Sequence, residues 1–160
     1  MSASKTNILI VEDEYLLAQL YITSLEDLEF KQLSSFEYQF NNVHVHFASS
    51  IDDATDRVTK FSYVAVFLDH NVGLGQTSES VVPEIFRNTP DCQLLLASSD
   101  LVKQTDAVTK ALTDAGLSQH IAGIKTHSKN DTKNFERVIN DIIGPSGAAA
   151  GVTPPVVPNP

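Results

Sequence analysis

Four short apolar runs punctuate this sequence, and each one stops at a polar residue. Ile8-Leu9-Ile10-Val11 runs into Glu12-Asp13, and Val64-Ala65-Val66-Phe67-Leu68 runs into Asp69. Leu94-Leu95-Leu96-Ala97 runs into Ser98, and Ile121-Ala122-Gly123-Ile124 runs into Lys125. Short runs rich in Val, Ile and Leu, without polar alternation, read as strands buried on both faces of a parallel sheet. In an open parallel α/β sheet, ligands bind in the crevice outside the carboxyl ends of the strands. Two acids, an isolated aspartate, a hydroxyl and a lysine are therefore expected at one edge. That set suits a divalent cation beside a phosphorylated aspartate.

Helical patterns separate the runs. Leu17, Leu20, Tyr21, Ser24, Leu25 and Leu28 recur at helical spacing and predict a one-faced helix from about Glu14 to Glu29. Lys31 to Asn42 then carries Phe36, Tyr38 and Phe40 in alternation, closed by Asn41-Asn42; a helical extension, a hairpin arm and a loop all fit it. Val43-His44-Val45-His46-Phe47 alternates cleanly and predicts a strand with one less buried face, at or near a sheet edge. His44 and His46 share a face of that strand, and without a third ligand they read as surface or interface residues rather than a metal site. Ser50-Ile51-Asp52-Asp53 has the spacing of a helix start, followed by Ile51, Ala54, Val58 and Phe61 on one stripe.

A glycine-bearing loop follows Asp69, and then a helix carrying Val81, Val82, Ile85 and Phe86, with Pro83 tolerable only in its first turn. Asp100 caps the next helix, whose inner face is Val108, Ala111, Leu112 and Ala115, and Gly116 supplies a left-handed stop. The last helix starts near Asn130, turns Phe135, Val138, Ile139 and Ile142 inward, and stops at Gly144-Pro145. Five strands alternating with five helices predict a doubly wound α/β fold, a five-stranded parallel sheet with helices on both faces. The order 2-1-3-4-5, with the second strand outermost, fits the strands' character. The domain spans 5–144, and the Ala/Gly/Pro-rich stretch 145–160 is expected to be a disordered tail.

Composition excludes more than it identifies. The chain has 160 residues and a formal net charge of −9, from 20 acids against 11 Lys and Arg. No basic face for nucleic acid is visible, and the same sign argues against an anionic membrane surface, so proteins and small ions are the expected partners. The single cysteine, Cys92, has no Lys, Arg or His beside it to activate the thiol and reads as a buried inert group. No apolar stretch reaches the ~20 residues of a membrane span, and Met1 to Lys5 leads into the first strand without a signal-peptide core. The expected location is the cytoplasm.

An acid-Asp pair after the first strand, Asp after the third, Ser after the fourth and Lys after the fifth resemble the receiver domains of two-component response regulators. The resemblance covers about residues 5 to 143 and rests on all four motifs occurring in order. It implies that Asp69 is the phosphoacceptor. It implies a Mg²⁺ or Mn²⁺ ion held by Asp13 and Asp69, by Glu12 through water and by the backbone carbonyl of Asn71, since such ions take octahedral oxygen ligands and retain several waters. Lys125 would pair with the phosphoryl oxygens, and Ser98 would bond one of them and report it. His70, directly after Asp69, stands where the family often tunes autophosphorylation and dephosphorylation, or is simply an exposed loop histidine.

The expected function is that of a stand-alone receiver, not an enzyme. It takes phosphate from a sensor histidine kinase or phosphotransfer protein and switches contacts with a downstream protein. Self-association through 31–42 is a further expectation. The sequence departs from the family pattern in three places. Thr126 follows Lys125 where proline is usual, Ala122 replaces the usual aromatic three residues before the lysine, and the segment before the second strand is long. Reading Lys129 as the lysine puts Thr126 at the aromatic position and leaves Lys129 beyond the apolar run, so Lys125 is preferred. The alternative function is a phosphorylation-independent adaptor. A haloacid-dehalogenase-like phosphatase would need Asp-x-Asp after the first strand, and an electron carrier of flavodoxin type would need a hydroxyl-rich loop there; neither is present.

Overall fold

The structure is a computed structural model and describes residues 5–73, 75–128 and 131–144. The first apolar run forms β1 (Thr6–Val11), with Ile8, Leu9, Ile10 and Val11 all buried. It pairs in parallel with β4 (Val43–Ala48) on one side and β5 (Ala65–Leu68) on the other. Beyond β5 the sheet continues in parallel through β6 (Gln93–Leu96) to the two-residue β7 (Lys125–Thr126). An antiparallel hairpin, β2 (Lys31–Ser34) and β3 (Glu37–Phe40), adds to the open side of β4.

The sheet is therefore seven-stranded, in the order β2-β3-β4-β1-β5-β6-β7, rather than five-stranded in the order 2-1-3-4-5. Its five parallel strands taken alone do run second, first, third, fourth, fifth. The reason for the difference lies in 31–42. Asn41 adopts φ 52°, a left-handed conformation that asparagine tolerates, and the two-residue turn Asn41-Asn42 folds β3 back onto β4. Phe36, Tyr38 and Phe40 are then absorbed. Tyr38 is buried against the sheet, Phe40 packs near Phe30, and Phe36, though exposed, lies under the Arg57 guanidinium. His44 and His46 are not surface residues either, because the hairpin leaves them 5% and 2% exposed.

Strand alternation divides the core into two layers. Ile8, Ile10, Ala65, Phe67 and Leu95 meet α1 (Tyr15–Asp27) and α5 (Thr132–Ile143) through Tyr21, Leu25, Phe135 and Ile139. Leu9, Val11, Val66, Leu68, Leu94 and Leu96 meet α2 (Ile51–Lys60), α3 (Val82–Asn88) and α4 (Leu101–Asp114) on the other face. Each large side chain buried this way contributes about 1.5–3 kcal/mol. The predicted helix starts form as expected: Ser50 accepts from the Asp53 amide, Asp100 from the Lys103 amide, and Pro83 sits in the first turn of α3. Gly116 ends the helical region after α4 at φ 75°.

The run at 121–124 is not a strand. A 3₁₀ helix occupies Ser118–Gly123, and the sheet is met only by Lys125–Thr126. Ile121 and Ile124 are three residues apart, and both pack partly on the α2/α3/α4 layer. A short apolar run cannot distinguish one helical turn from a strand by periodicity alone. The expected tail at 145–160 lies outside the described residues. No helix among the described residues is long and apolar enough to cross a membrane.

Candidate functional site

Parallel pairing carries the first and third strands past the sheet edge in step. The Glu12 amide donates to Ala48 O at 2.9 Å and the Asp69 amide to Val11 O at 3.1 Å, so the two chain ends leave the sheet side by side. Glu12, Asp13 and Asp69 meet there, each offering a carboxylate oxygen within 4.8 Å of the others. Glu12 and Asp69 are buried and Asp13 is exposed. Glu12 Oε2 also accepts the Glu14 amide at 3.2 Å. Asp69 Oδ1 accepts the His70 amide at 2.8 Å, which fixes the rotamer of the acid.

The loop after β5 closes over this cluster. Asn71 bridges to Thr77, the Val72 amide donates to Gln76 O, and Gly73 takes φ 74°. The left-handed φ of Gly73 favours glycine, and its Cα lies beside the acids, since an ideal Cβ there would stand at ordinary contact distance, 3.7 Å, from Asp13 Oδ2. The result is an open depression of about 540 Å³ lined by Asp13, Glu14, Tyr15, Asp69, Asn71 and Ser99. Carboxylates packed this closely repel one another, and a hard cation with oxygen ligands relieves the repulsion. The donor set of three carboxylates is all oxygen, which fits Mg²⁺ better than a metal that prefers nitrogen or sulfur.

Asp13, Asp69 and Asn71 thus share one depression, with Glu12 buried behind them. Ser98 is buried beside it, and its Oγ accepts the Asp100 amide at 3.1 Å, while the hydroxyl-bearing residue that lines the depression is Ser99. The structure does not bring Lys125 to this group. Lys125 pairs with Leu95, three residues short of Ser98, and lines a separate groove of about 140 Å³ with Gln93, Asn134, Arg137 and Asp141. His127 continues the pairing, its amide donating to Leu96 O at 2.8 Å, so residue 128 is the one that draws level with Ser98. Lys129 lies outside the described residues. His70 is 3% exposed rather than a surface histidine, and its Nδ1 has no hydrogen-bond partner among the described residues.

Sequence reasoning passed over what lies beneath the acids. Tyr21, Phe67, His127 and Phe135 form a ring cluster, with Tyr21 and Phe135 centroids 4.8 Å apart and Phe67 and His127 5.2 Å apart. Burial pushes the Tyr21 phenol far above its ordinary value, and the charges of Glu12 and Asp69 push it further. Tyr21 was legible as a core residue of α1, but nothing in a helical stripe says which ring ends near a charge. His127 follows a two-residue strand too short to announce itself as one.

No protein-family model matches the sequence, and no curated protein matches it either. Solved structures do match. A two-component response regulator from Clostridium difficile aligns over 89% of this chain and 98% of its own, with TM-score 0.60 and 12% identity. A CheY-like response regulator receiver domain from Methanospirillum hungatei JF-1 aligns over 91% and 99%, with TM-score 0.59 and 11% identity. The fold is that of a receiver domain. A response regulator protein from Burkholderia pseudomallei, solved with a phosphorylated aspartic acid, calcium ion and citrate, aligns over 88% of this chain and 76% of its own, with TM-score 0.52 and 14% identity.

Proposed function

We propose that this chain is a phosphorylation-switched response regulator receiver: Asp69 accepts a phosphoryl group from a histidine kinase or phosphotransfer protein, and the modified edge changes its contacts with a downstream protein. The observation that carries this reading is the meeting of Glu12, Asp13 and Asp69 within 4.8 Å at the carboxyl end of a receiver-type sheet. A carboxylate oxygen of Asp69 attacks phosphorus as the bond from phosphorus to the donor's imidazole nitrogen breaks, and the displaced nitrogen keeps the electron pair. Asp13, Asp69 and the Asn71 carbonyl would hold Mg²⁺ or Mn²⁺ directly, with Glu12 reaching it through water. When bound, the ion supplies neutralisation of the charge on the transferred group, which is the main electrostatic demand of phosphoryl transfer.

The chain's own residues do the rest. The His70 amide holds Asp69 Oδ1 and so orients the acid at the sheet edge. Ser98 or Ser99 donates its hydroxyl to a phosphoryl oxygen. For Ser98 this draws on a group already tied to the first turn before α4 through the Asp100 amide, so the signal passes to that turn. Lys125, the lysine that the resemblance assigns to the phosphoryl group, lines a different groove, so in this reading the serine hydroxyl and the metal ion answer the phosphoryl charge. The chain is an acceptor and switch rather than an enzyme with turnover on a separate substrate. Intact mass after incubation with acetyl phosphate and Mg²⁺ tests the reading. One phosphoryl group is expected on the wild type and none on Asp69→Asn. An unmodified wild type would favour the phosphorylation-independent adaptor.

A further inference from the structure

One polar side chain turns inward from α4, whose other buried residues are Val108 and Leu112. Gln104 is fully buried, and its Nε2 donates to Leu68 O at 2.8 Å. A main-chain carbonyl can only accept, so the amide nitrogen must face it. That carbonyl also takes the Ala97 amide at 2.9 Å and is satisfied without Gln104. Gln104 Oε1, by contrast, is buried with no hydrogen-bond partner among the described residues. A buried acceptor left unmade carries its full desolvation penalty, and an apolar side chain of similar shape avoids it. Polar satisfaction therefore does not account for a glutamine here.

What the amide does is tie α4 to the strand that carries the acid. β5 ends at Leu68, and Asp69 is the next residue. The start of α4 has a second directional tie, to the other side of the site. The Asp100 side chain caps the helix through the Lys103 amide, and the Asp100 carbonyl accepts the Gln104 amide at 3.1 Å. The Asp100 amide in turn donates to Ser98 Oγ at 3.1 Å. Gln104 is thus linked through its main chain toward Ser98 and through its side chain to the residue before Asp69. Beyond it, Val108 and Leu112 hold α4 in an apolar layer, a kind of contact that has no direction.

We propose that Gln104 is a positioning residue, the fixed point at Leu68 O about which the first turn of α4 answers a change at Asp69. The proposal rests on the receiver reading above and adds how that site is read out within this chain. A phosphoryl group on Asp69 that draws in the Ser98 hydroxyl moves the group on which the Asp100 amide is tied. Gln104 stays anchored, so the displacement is confined to 98–103 and the rest of α4 keeps its place. A partner that reads the switch then meets an altered first turn, where Val102 is exposed, on an unaltered helix.

The test uses the full chain and follows amide chemical shifts by NMR, with Mg²⁺, before and after beryllofluoride, a mimic of the phosphoryl group. The wild type should shift at Asp69 and through 98–103 and stay unchanged at 105–112. In Gln104→Met the changes should spread through 105–112, and Gln104→Leu should behave alike. A merely structural role for the amide would not move this pattern. Urea unfolding should find Gln104→Met no less stable than the wild type, because Leu68 O keeps its Ala97 bond and the orphaned oxygen is gone. The coupling alone is overturned if the wild type responds at Asp69 and both variants keep its shift pattern, or if the wild type already shifts through 105–112. A loss of stability in both variants makes the bond structural and overturns it as well. A wild type with no response at Asp69 overturns the receiver reading, and the coupling with it.

Discussion

Glu12, Asp13 and Asp69 at the ends of β1 and β5, and Glu37, His44 and His46 across β3 and β4, place three ionisable groups each on one sheet. The first set is all acid and is held by strand ends and a glycine-bearing loop. The second mixes one acid with two imidazoles and is held by strand register. Burial raises the Glu37 carboxyl, but the His44 hydrogen bond and the two imidazoles outweigh burial and hold it below its ordinary value. The acid cluster contains no such internal compensation among its own three members. Like charges held together repel one another and favour a nearby cation, whereas a mixed set neutralises part of its own charge. The same sheet thus carries one cluster of like charge at its edge and one of mixed charge across a hairpin.

The largest effect that could break this contrast is at Asp69. Asp69→Asn should remove phosphoryl acceptance completely, while Glu37→Gln should leave it intact, both read by intact mass with acetyl phosphate and Mg²⁺. Loss of acceptance in Glu37→Gln would mean the two clusters are not independent. Next comes metal affinity. Asp13→Asn should weaken Mg²⁺ on the order of tenfold by calorimetry, because affinity at hard-cation sites follows ligand charge and number.

Stability should move in opposite directions at the two clusters. In Mg²⁺-free buffer, Asp13→Asn removes a repelling charge and should stabilise the fold by about 0.5–1 kcal/mol, the scale of exposed charge interactions. Glu37→Gln removes a charge-assisted hydrogen bond and should destabilise by about 1–3 kcal/mol. Urea unfolding of the two variants beside the wild type decides it. The same sign in both would erase the distinction.

How far these sites were legible follows from what each depends on. The acid cluster depends on parallel strands ending at one edge, and apolar runs with a terminal Asp or Glu report that directly. The hairpin cluster depends on register between 37–40 and 43–46. The sequence shows His44-x-His46 but cannot say which residue of an ambiguous segment lies opposite, so Glu37 was invisible as a partner. The Asn41-Asn42 turn was the available signal, since such pairs favour tight hairpins. At the other flank, Ile121-Ala122-Gly123-Ile124 satisfies helix and strand alike, and that ambiguity moved the edge strand by several residues. Lys125 followed it away from the site.

The smallest effect belongs to a third arrangement, a buried imidazole with neither acid nor metal. His127 is 2% exposed, and its Nδ1 lies 2.8 Å from the Asn134 side-chain nitrogen. The Asn134 oxygen is bonded to Arg137, which fixes the amide so that its N–H points at His127. Nδ1 must then accept, the ring proton sits on Nε2, and Nε2 has no hydrogen-bond partner among the described residues. Protonation would break the Asn134 bond and place a charge beside Tyr21, Phe67 and Phe135. Burial accordingly lowers the His127 pKa, with Asp131 opposing more weakly. Because the folded value lies below the unfolded value of about 6.5, the unfolded chain binds more protons in this window, and stability falls as pH drops below about 6.5. His127→Asn should lose stability at neutral pH but show a shallower decline between about pH 7 and pH 5.5, above the range where most carboxylates titrate. The expected difference in slope corresponds to a few tenths of a kcal/mol up to about 1 kcal/mol across the window, read from urea midpoints at each pH. Parallel curves for the two proteins would show that the ring under the acid cluster takes up its proton without cost, and would remove His127 from the groups that make this fold acid-sensitive.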